Sequence, residues 1–181
     1  MDFGLDASPM SDPGHKLYDA AADGNTEDVR RLLAEKEPLE YKNVRHCPPQ
    51  SYTLSRTHTR SLLLWQDKGL TPLIIAAKNG KDAVVRLLLE AGAEKEAKSN
   101  AGFTPLSAAA YHGHDAVVRL LLEAGADKEA TDEWGQTPII WAYRFGREAV
   151  VQLLLEAGSE TILVKFTAED AEEYSPALPV V

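Results

Sequence analysis

Three groups with metal-binding chemistry stand together in the run H-G-H-D, as His112, His114 and Asp115. Imidazole and carboxylate both ligate zinc, but a closed site takes four such groups and fixes their spacing. This run has no further His or Cys at a supporting distance, so it reads as a turn, and no metal is expected. His46 beside Cys47 pairs a base with a thiol, the makings of a nucleophile. Pro48 and Pro49 follow directly, and the surrounding segment holds no acid to orient the imidazole, so no catalytic pair is read. The phosphate-cradling pattern G-x-x-x-x-G-K-[ST] is absent. No catalytic residue, no cofactor and no enzyme activity are expected.

The elements around these residues explain the glycines and much else. From Gly69 runs G-L-T-P-L-I-I-A-A-K-N-G-K-D-A-V-V-R-L-L-L-E-A-G-A, and from Gly102 runs G-F-T-P-L-S-A-A-A-Y-H-G-H-D-A-V-V-R-L-L-L-E-A-G-A, 33 residues later. A third copy, G-Q-T-P-I-I-W-A-Y-R-F-G-R-E-A-V-V-Q-L-L-L-E-A-G-S, opens at Gly135 after the same interval. Thr71, Thr104 and Thr137 are suited to cap a helix, with Pro72, Pro105 and Pro138 at the first helical position, where a missing N–H costs nothing. Gly80, Gly113 and Gly146 break the chain before a second helix, and Gly92, Gly125 and Gly158 stand where a left-handed C-cap belongs. Each copy therefore predicts helix, turn, helix. The second helix is apolar apart from a stripe at Asp82, Arg86 and Glu90, so it needs neighbours on both flanks. Asp82 with Arg86, and Asp115 with Arg119, are placed to form i,i+4 ion pairs on the solvated stripe.

A fixed period of this length marks a solenoid, and the T-P-L opening resembles the ankyrin repeat. The resemblance is strong from Gly69 to about Gly158 and weaker from Lys16 to Asn43. It implies an all-α helix-turn-helix solenoid with short hairpin loops, acting as a non-catalytic protein-binding scaffold. The alternative is that the array is the regulatory fragment of a larger enzyme or channel. The His that usually follows T-P-L in the family is Ile74, Ser107 and Ile140 here, so the hydrogen bonds it lends between turns are expected to be missing.

Organisation along the chain follows from the period. Residues 1–14 show no periodicity and read as a disordered lead-in. Residues 15–43 form a capping repeat, whose second helix carries Asp28, Arg30 and Arg31 where the interior copies are mostly apolar. Leu17 then lines up with Leu73, and removing residues 44–66 would restore the period. That 23-residue piece contains no Asp, Glu, Lys, Ala or Gly. It is either a regulatory loop, in which Arg45, Arg56 and Arg60 among Ser and Thr attract an acidic partner or a kinase, or a translated intron. The intron is preferred, since Val codons begin GT and a Gln codon ends AG. Repeats follow at 67–101, 102–134 and 135–167, and 168–181 is an acidic tail. Ile162 to Phe166 are expected to form a strand or short turn over the last repeat, whose second helix is not polarised like a cap.

Bulk composition narrows the partner. The chain has 181 residues, 44% of them hydrophobic, and a net charge of −9, which argues against a nucleic-acid partner. No apolar run is long enough to cross a bilayer, and M-D-F-G-L-D-A-S lacks the basic start and apolar core of a signal peptide. The one cysteine excludes an internal disulfide. A cytoplasmic or nuclear monomer, away from membranes, is the expectation.

What varies between copies points to the binding face. Lys78 and Asn79, Tyr111 and His112, and Arg144 and Phe145 occupy matching places at the end of the first helix, while Phe103, Trp134 and Gln136 fall on the hairpins. The resemblance implies that these places line a concave partner-binding surface. Phe103, Tyr111, Trp134 and Phe145 are expected to stand solvated on one side, the composition of a binding hot spot. Lys78 and Arg144 beside them favour a partner segment that is apolar and partly acidic. The competing expectation is that Phe103 and Trp134 fold back on the hairpins as packing.

Overall fold

The computed structural model describes residues 13–42 and 69–159. Among the described residues eight helices stand in four antiparallel pairs: α1 (Pro13–Asp23) with α2 (Thr26–Ala34), α3 (Pro72–Lys78) with α4 (Asp82–Glu90), α5 (Pro105–His112) with α6 (Asp115–Glu123), and α7 (Pro138–Arg144) with α8 (Glu148–Glu156). First helices pack in one row, α1 on α3 on α5 on α7, and second helices in a parallel row behind them. The core lies between the rows, with Leu17, Leu73, Ile74, Val84, Leu88, Leu106 and Leu121 essentially inaccessible. The fold is an all-α helix-turn-helix solenoid.

Local chemistry sets the helix starts. Thr71 accepts the Ile74 N–H at 3.3 Å, and Thr104 with Ser107 closes a reciprocal capping box, Ser107 N–H to Thr104 Oγ1 at 3.2 Å and Thr104 N–H to Ser107 Oγ at 2.8 Å. Thr137 departs from expectation: its side chain caps nothing, and its carbonyl receives the Ile140 and Trp141 N–H groups at 3.1 and 3.3 Å, which tightens the first turn of α7. Helix α1 begins at Pro13, two residues inside the stretch read as a lead-in, because proline is preorganised for a first helical turn. The expected Asp82–Arg86 and Asp115–Arg119 pairs do not form. Their side chains are exposed, where holding two long chains together gains little over water.

Between repeats, a ladder of side-chain-to-backbone bonds does what the missing His was expected to do. Lys42 Nζ donates to the Lys98 carbonyl at 3.1 Å, and Lys98 Nζ donates to that of Thr131 at 3.0 Å. Glu40 accepts the Glu94 N–H and Glu96 accepts the Asp127 N–H, both at 2.8 Å. Lys95 reaches the Ala124 carbonyl at 2.6 Å, and Lys128 reaches that of Ala157, each satisfying the C-terminal end of the next second helix. Ile74 and Ile140 are buried in the core instead, and Ser107 serves the capping box. Loss of the usual His therefore leaves the turns joined by longer charged side chains.

The same stacking covers the turn glycines. A methyl group on Gly80 would lie 2.6 Å from His114 Nδ1, and one on Gly113 would lie 2.6 Å from Arg147 Cδ. Lys81 lies over Gly24 in the same way. Gly113 also holds φ +79°, so a side chain there would meet strain and a clash together. Gly146 meets nothing within 4 Å among the described residues, and Leu155 on the same final pair is 41% exposed.

The readings of residues 44–66, of Ile162 to Phe166 and of the 168–181 tail lie outside the described residues. Among the described residues no helix is long and apolar enough to cross a membrane.

Candidate partner-binding face

At the third and fourth pairs the front row turns aromatic. Trp141 on α7 is its centre, buried to 4% exposure and in contact range of Phe103 at 5.5 Å, Tyr111 at 5.6 Å and Phe145 at 6.0 Å between ring centroids. Tyr111 and Phe145 are closer still, at 4.1 Å. One carboxylate sets this arrangement. Asp132 Oδ2 accepts the Trp141 Nε1–H at 2.7 Å, while Oδ1 accepts the Trp134 and Gln136 backbone N–H groups at 2.9 Å each. A buried indole N–H needs such a partner, and a carboxylate accepting three donors repays its own burial. The hairpin and the tryptophan thus lock each other.

The residues singled out in sequence divide into three groups. Phe103 is wholly buried and Tyr111 is 6% exposed, so the expectation of four solvated aromatics is corrected. The cause is the neighbouring copy: Trp141 covers Phe103, and Trp141 and Phe145 close over Tyr111. Trp134 remains 49% exposed on the hairpin, 6.1 Å from Phe103, with Phe145 half-buried beyond Tyr111. Arg144 sits over the Trp141 ring at 5.9 Å, a cation–π distance. Gln136 braces the hairpin by donating Nε2–H to the Trp134 carbonyl at 2.9 Å. Asn79 ties its own pair backwards, Nδ2–H to the Ala22 carbonyl at 2.9 Å.

Lys78 and His112 are the last residues of α3 and α5. Burial, then the charges of Lys78, His114 and Arg147, pushes the His112 imidazole down to about 4. Its ring stacks on His114 at 5.9 Å and meets Tyr111 edge-on at 4.9 Å. His114 donates Nε2–H to the Lys78 carbonyl at 3.0 Å, and Arg147 donates Nε–H to the Tyr111 carbonyl at 3.2 Å. His114 and Arg147 occupy the same place in successive copies and make the same bond. Among the described residues no group of three or more His, Cys, Asp or Glu is placed to hold a metal ion.

Sequence reasoning passed over Trp141, Asp132, Tyr143 and Arg147. Trp141 stands where the earlier copies have Ile75 and Ala108, and Tyr143, 55% exposed, stands where they have the wholly buried Ala77 and Ala110. A large ring in place of alanine was the available signal. Asp132 had one too, as an acid where the preceding copy has Ser99, whose hydroxyl accepts the Phe103 N–H at 3.1 Å.

The comparisons agree with this geometry. No curated protein matches the chain. The family model for ankyrin repeats, three copies long, matches residues 17–132 and 102–164. Those spans cover most of the sequence and every helix pair in the stack; the chain belongs to the ankyrin-repeat family.

Proposed function

We propose that the chain is a non-catalytic scaffold that binds a partner protein on the face built by Trp134, Phe145, Arg144 and Tyr143, with Lys78, Asn79, His112 and Gln136 along its margin. Ankyrin arrays generally serve protein–protein interaction, and the family is typically non-catalytic. The observation that supports the site is Trp134, half exposed on a hairpin that Asp132 fixes to a buried aromatic base. A rigid, partly solvated aromatic of this kind binds with little ordering cost, which is why tryptophan and arginine dominate hot spots. Phe103 and Tyr111 act beneath the surface as its support. The net charge of −9 disfavours nucleic acid, and a lone cysteine suits a monomer in the reducing cytosol or nucleus.

Capture of the partner with the full chain, followed by measured affinity, tests this. Trp134→Ala is expected to weaken binding by about 2 kcal/mol, roughly thirtyfold, with melting unchanged. Lower melting without a specific loss of affinity would place Trp134 in packing alone.

A further inference from the structure

We propose that the outer flank of the fourth pair is the seat of residues 162–166 of the same chain, laid in extended form along α8 in place of a fifth helix pair. Three positions carry the mark of a surface built to be covered. The first-helix place held by wholly buried alanine in three copies, as Ala21, Ala77 and Ala110, is Tyr143 in the fourth, 55% exposed. Val29, Val85 and Val118 on the second helices are likewise wholly buried, whereas their counterpart Val151 is only partly so. Leu33, Leu89 and Leu122 are partly covered, and their counterpart Leu155 is 41% exposed. Val151 and Leu155, four residues apart, share one face of α8, and no further helix follows it among the described residues.

The occupant is not another repeat of the same build. Packed helices approach to about 8–10 Å, and the earlier first helices do so on alanine, where Tyr143 puts a ring. One period further on, Pro176 falls inside the first helix, where it removes a ladder bond and clashes with the preceding turn. Pro179 falls at the turn glycine, whose φ is positive in all four copies, while proline holds φ near about −65°. Lys95 and Lys128, which reach the carbonyls of the following second helix, give way at the same place to Thr161.

After Glu160 and Thr161 the sequence instead carries I-L-V-K-F at 162–166. Such β-branched and aromatic residues favour an extended chain, in which Ile162, Val164 and Phe166 share one side. Extended, the segment spans about 13 Å, as does the nine-residue α8, so its apolar side matches the helix it covers. Gly158, at φ +82°, turns the chain back at the end of α8. Ser159 supplies an independent sign. It stands where the earlier copies have Ala93 and Ala126, is only 7% exposed, and its hydroxyl has no hydrogen-bond partner among the described residues. A buried hydroxyl without a partner is costly, and the backbone of a returning chain provides one. A segment tethered two residues away also outcompetes a second copy, because its effective concentration is high at any protein concentration.

A double-mutant cycle on the full chain tests the seat, with Leu155→Ser on α8 and Val164→Ser on the segment, read by urea unfolding. Each single change should lower the folding constant about tenfold, and both together no more than about thirtyfold, because the second removes a contact already lost. Lys165→Ser, on the other side of the segment, should change nothing. Val151→Thr takes the place of Leu155→Ser if that variant melts too early to measure. Losses that multiply to about a hundredfold, an unchanged Val164→Ser chain, or an equal loss in Lys165→Ser overturns the proposal. The coupling should also hold in monomer over about a hundredfold range of protein concentration, checked by sedimentation. Coupling that appears only as dimer forms would give the flank to a second copy and overturn the seat for 162–166.

Discussion

The boundary between the second and third pairs and that between the third and fourth are built on one frame with opposite contents. At the first, α3 packs on α5 with the buried Ala76 and Ala77 of one and Ala108, Ala109 and Ala110 of the other, small residues that let the helices approach closely. At the second, Trp141, Phe103, Tyr111 and Phe145 fill the front with rings. The frame does not change: His114 and Arg147 reach back to equivalent carbonyls, and Lys95 and Lys128 reach forward to equivalent ones. Spacing between repeats is therefore held by side-chain-to-backbone bonds that ignore what the front row contains. The front is free to change composition without changing the stack.

The sharpest way to break this contrast is Phe103→Ala. Phe103 is wholly inaccessible and touches Trp141 and Trp134, so truncation should cost about 3–5 kcal/mol in denaturant unfolding. If the rings were surface decoration, melting would hardly move. Next comes the pair Asp132→Ala and Ser99→Ala, which compares one structural position across the two boundaries. Removing Asp132 strands the Trp141 indole and two backbone donors, for a loss of about 3 kcal/mol, whereas removing the Ser99 hydroxyl strands the Phe103 N–H, for about 1 kcal/mol. Equal losses would show that the carboxylate is no special anchor of the aromatic side.

A smaller effect is expected from acid. The folded His112 midpoint of about 4 lies below the ordinary 6.5, so between those values the unfolded chain binds more protons than the folded one. Stability contributed by neutral His112 is thus complete above pH 6.5 and is lost progressively as pH falls through 4. Allowing for screening at a partly exposed group, the loss is about 1–2 kcal/mol. His112→Asn should flatten this part of the stability–pH curve, measured by urea unfolding at successive pH values.

Fold and face were unequally legible in the sequence. Helices, caps and stacking followed from a 33-residue period carrying Thr-Pro at one end and glycine at the turn, since these act locally. The burial of Phe103 and Tyr111 was not legible in the same way. Both occupy variable places, and what covers them comes from the following copy, so exposure at one repeat depends on residues thirty or more positions away. The ladder was hidden for a different reason. Lys42, Lys95, Lys98 and Lys128 look like ordinary solvated charges, and only the stacked geometry shows their ammonium groups ending on carbonyls. Trp141 and Tyr143 were readable as departures from alanine or isoleucine, a signal carried by aligning the copies column by column.

The covered turn glycines also give the molecule a direction in time. Gly24 is closed by Lys81, Gly80 by His114 and Gly113 by Arg147, each cover coming from the copy translated later. During synthesis, with N-terminal parts emerging first, each of the first three helix pairs leaves the ribosome with its turn still open and is finished only when its successor arrives. The wait is about one repeat for Gly80 and Gly113, but for Gly24 it lasts until the chain has passed residues 43–68 as well. The first pair therefore spends the longest interval as an unfinished unit, and the nascent chain acquires its order as a wave that trails translation by one repeat.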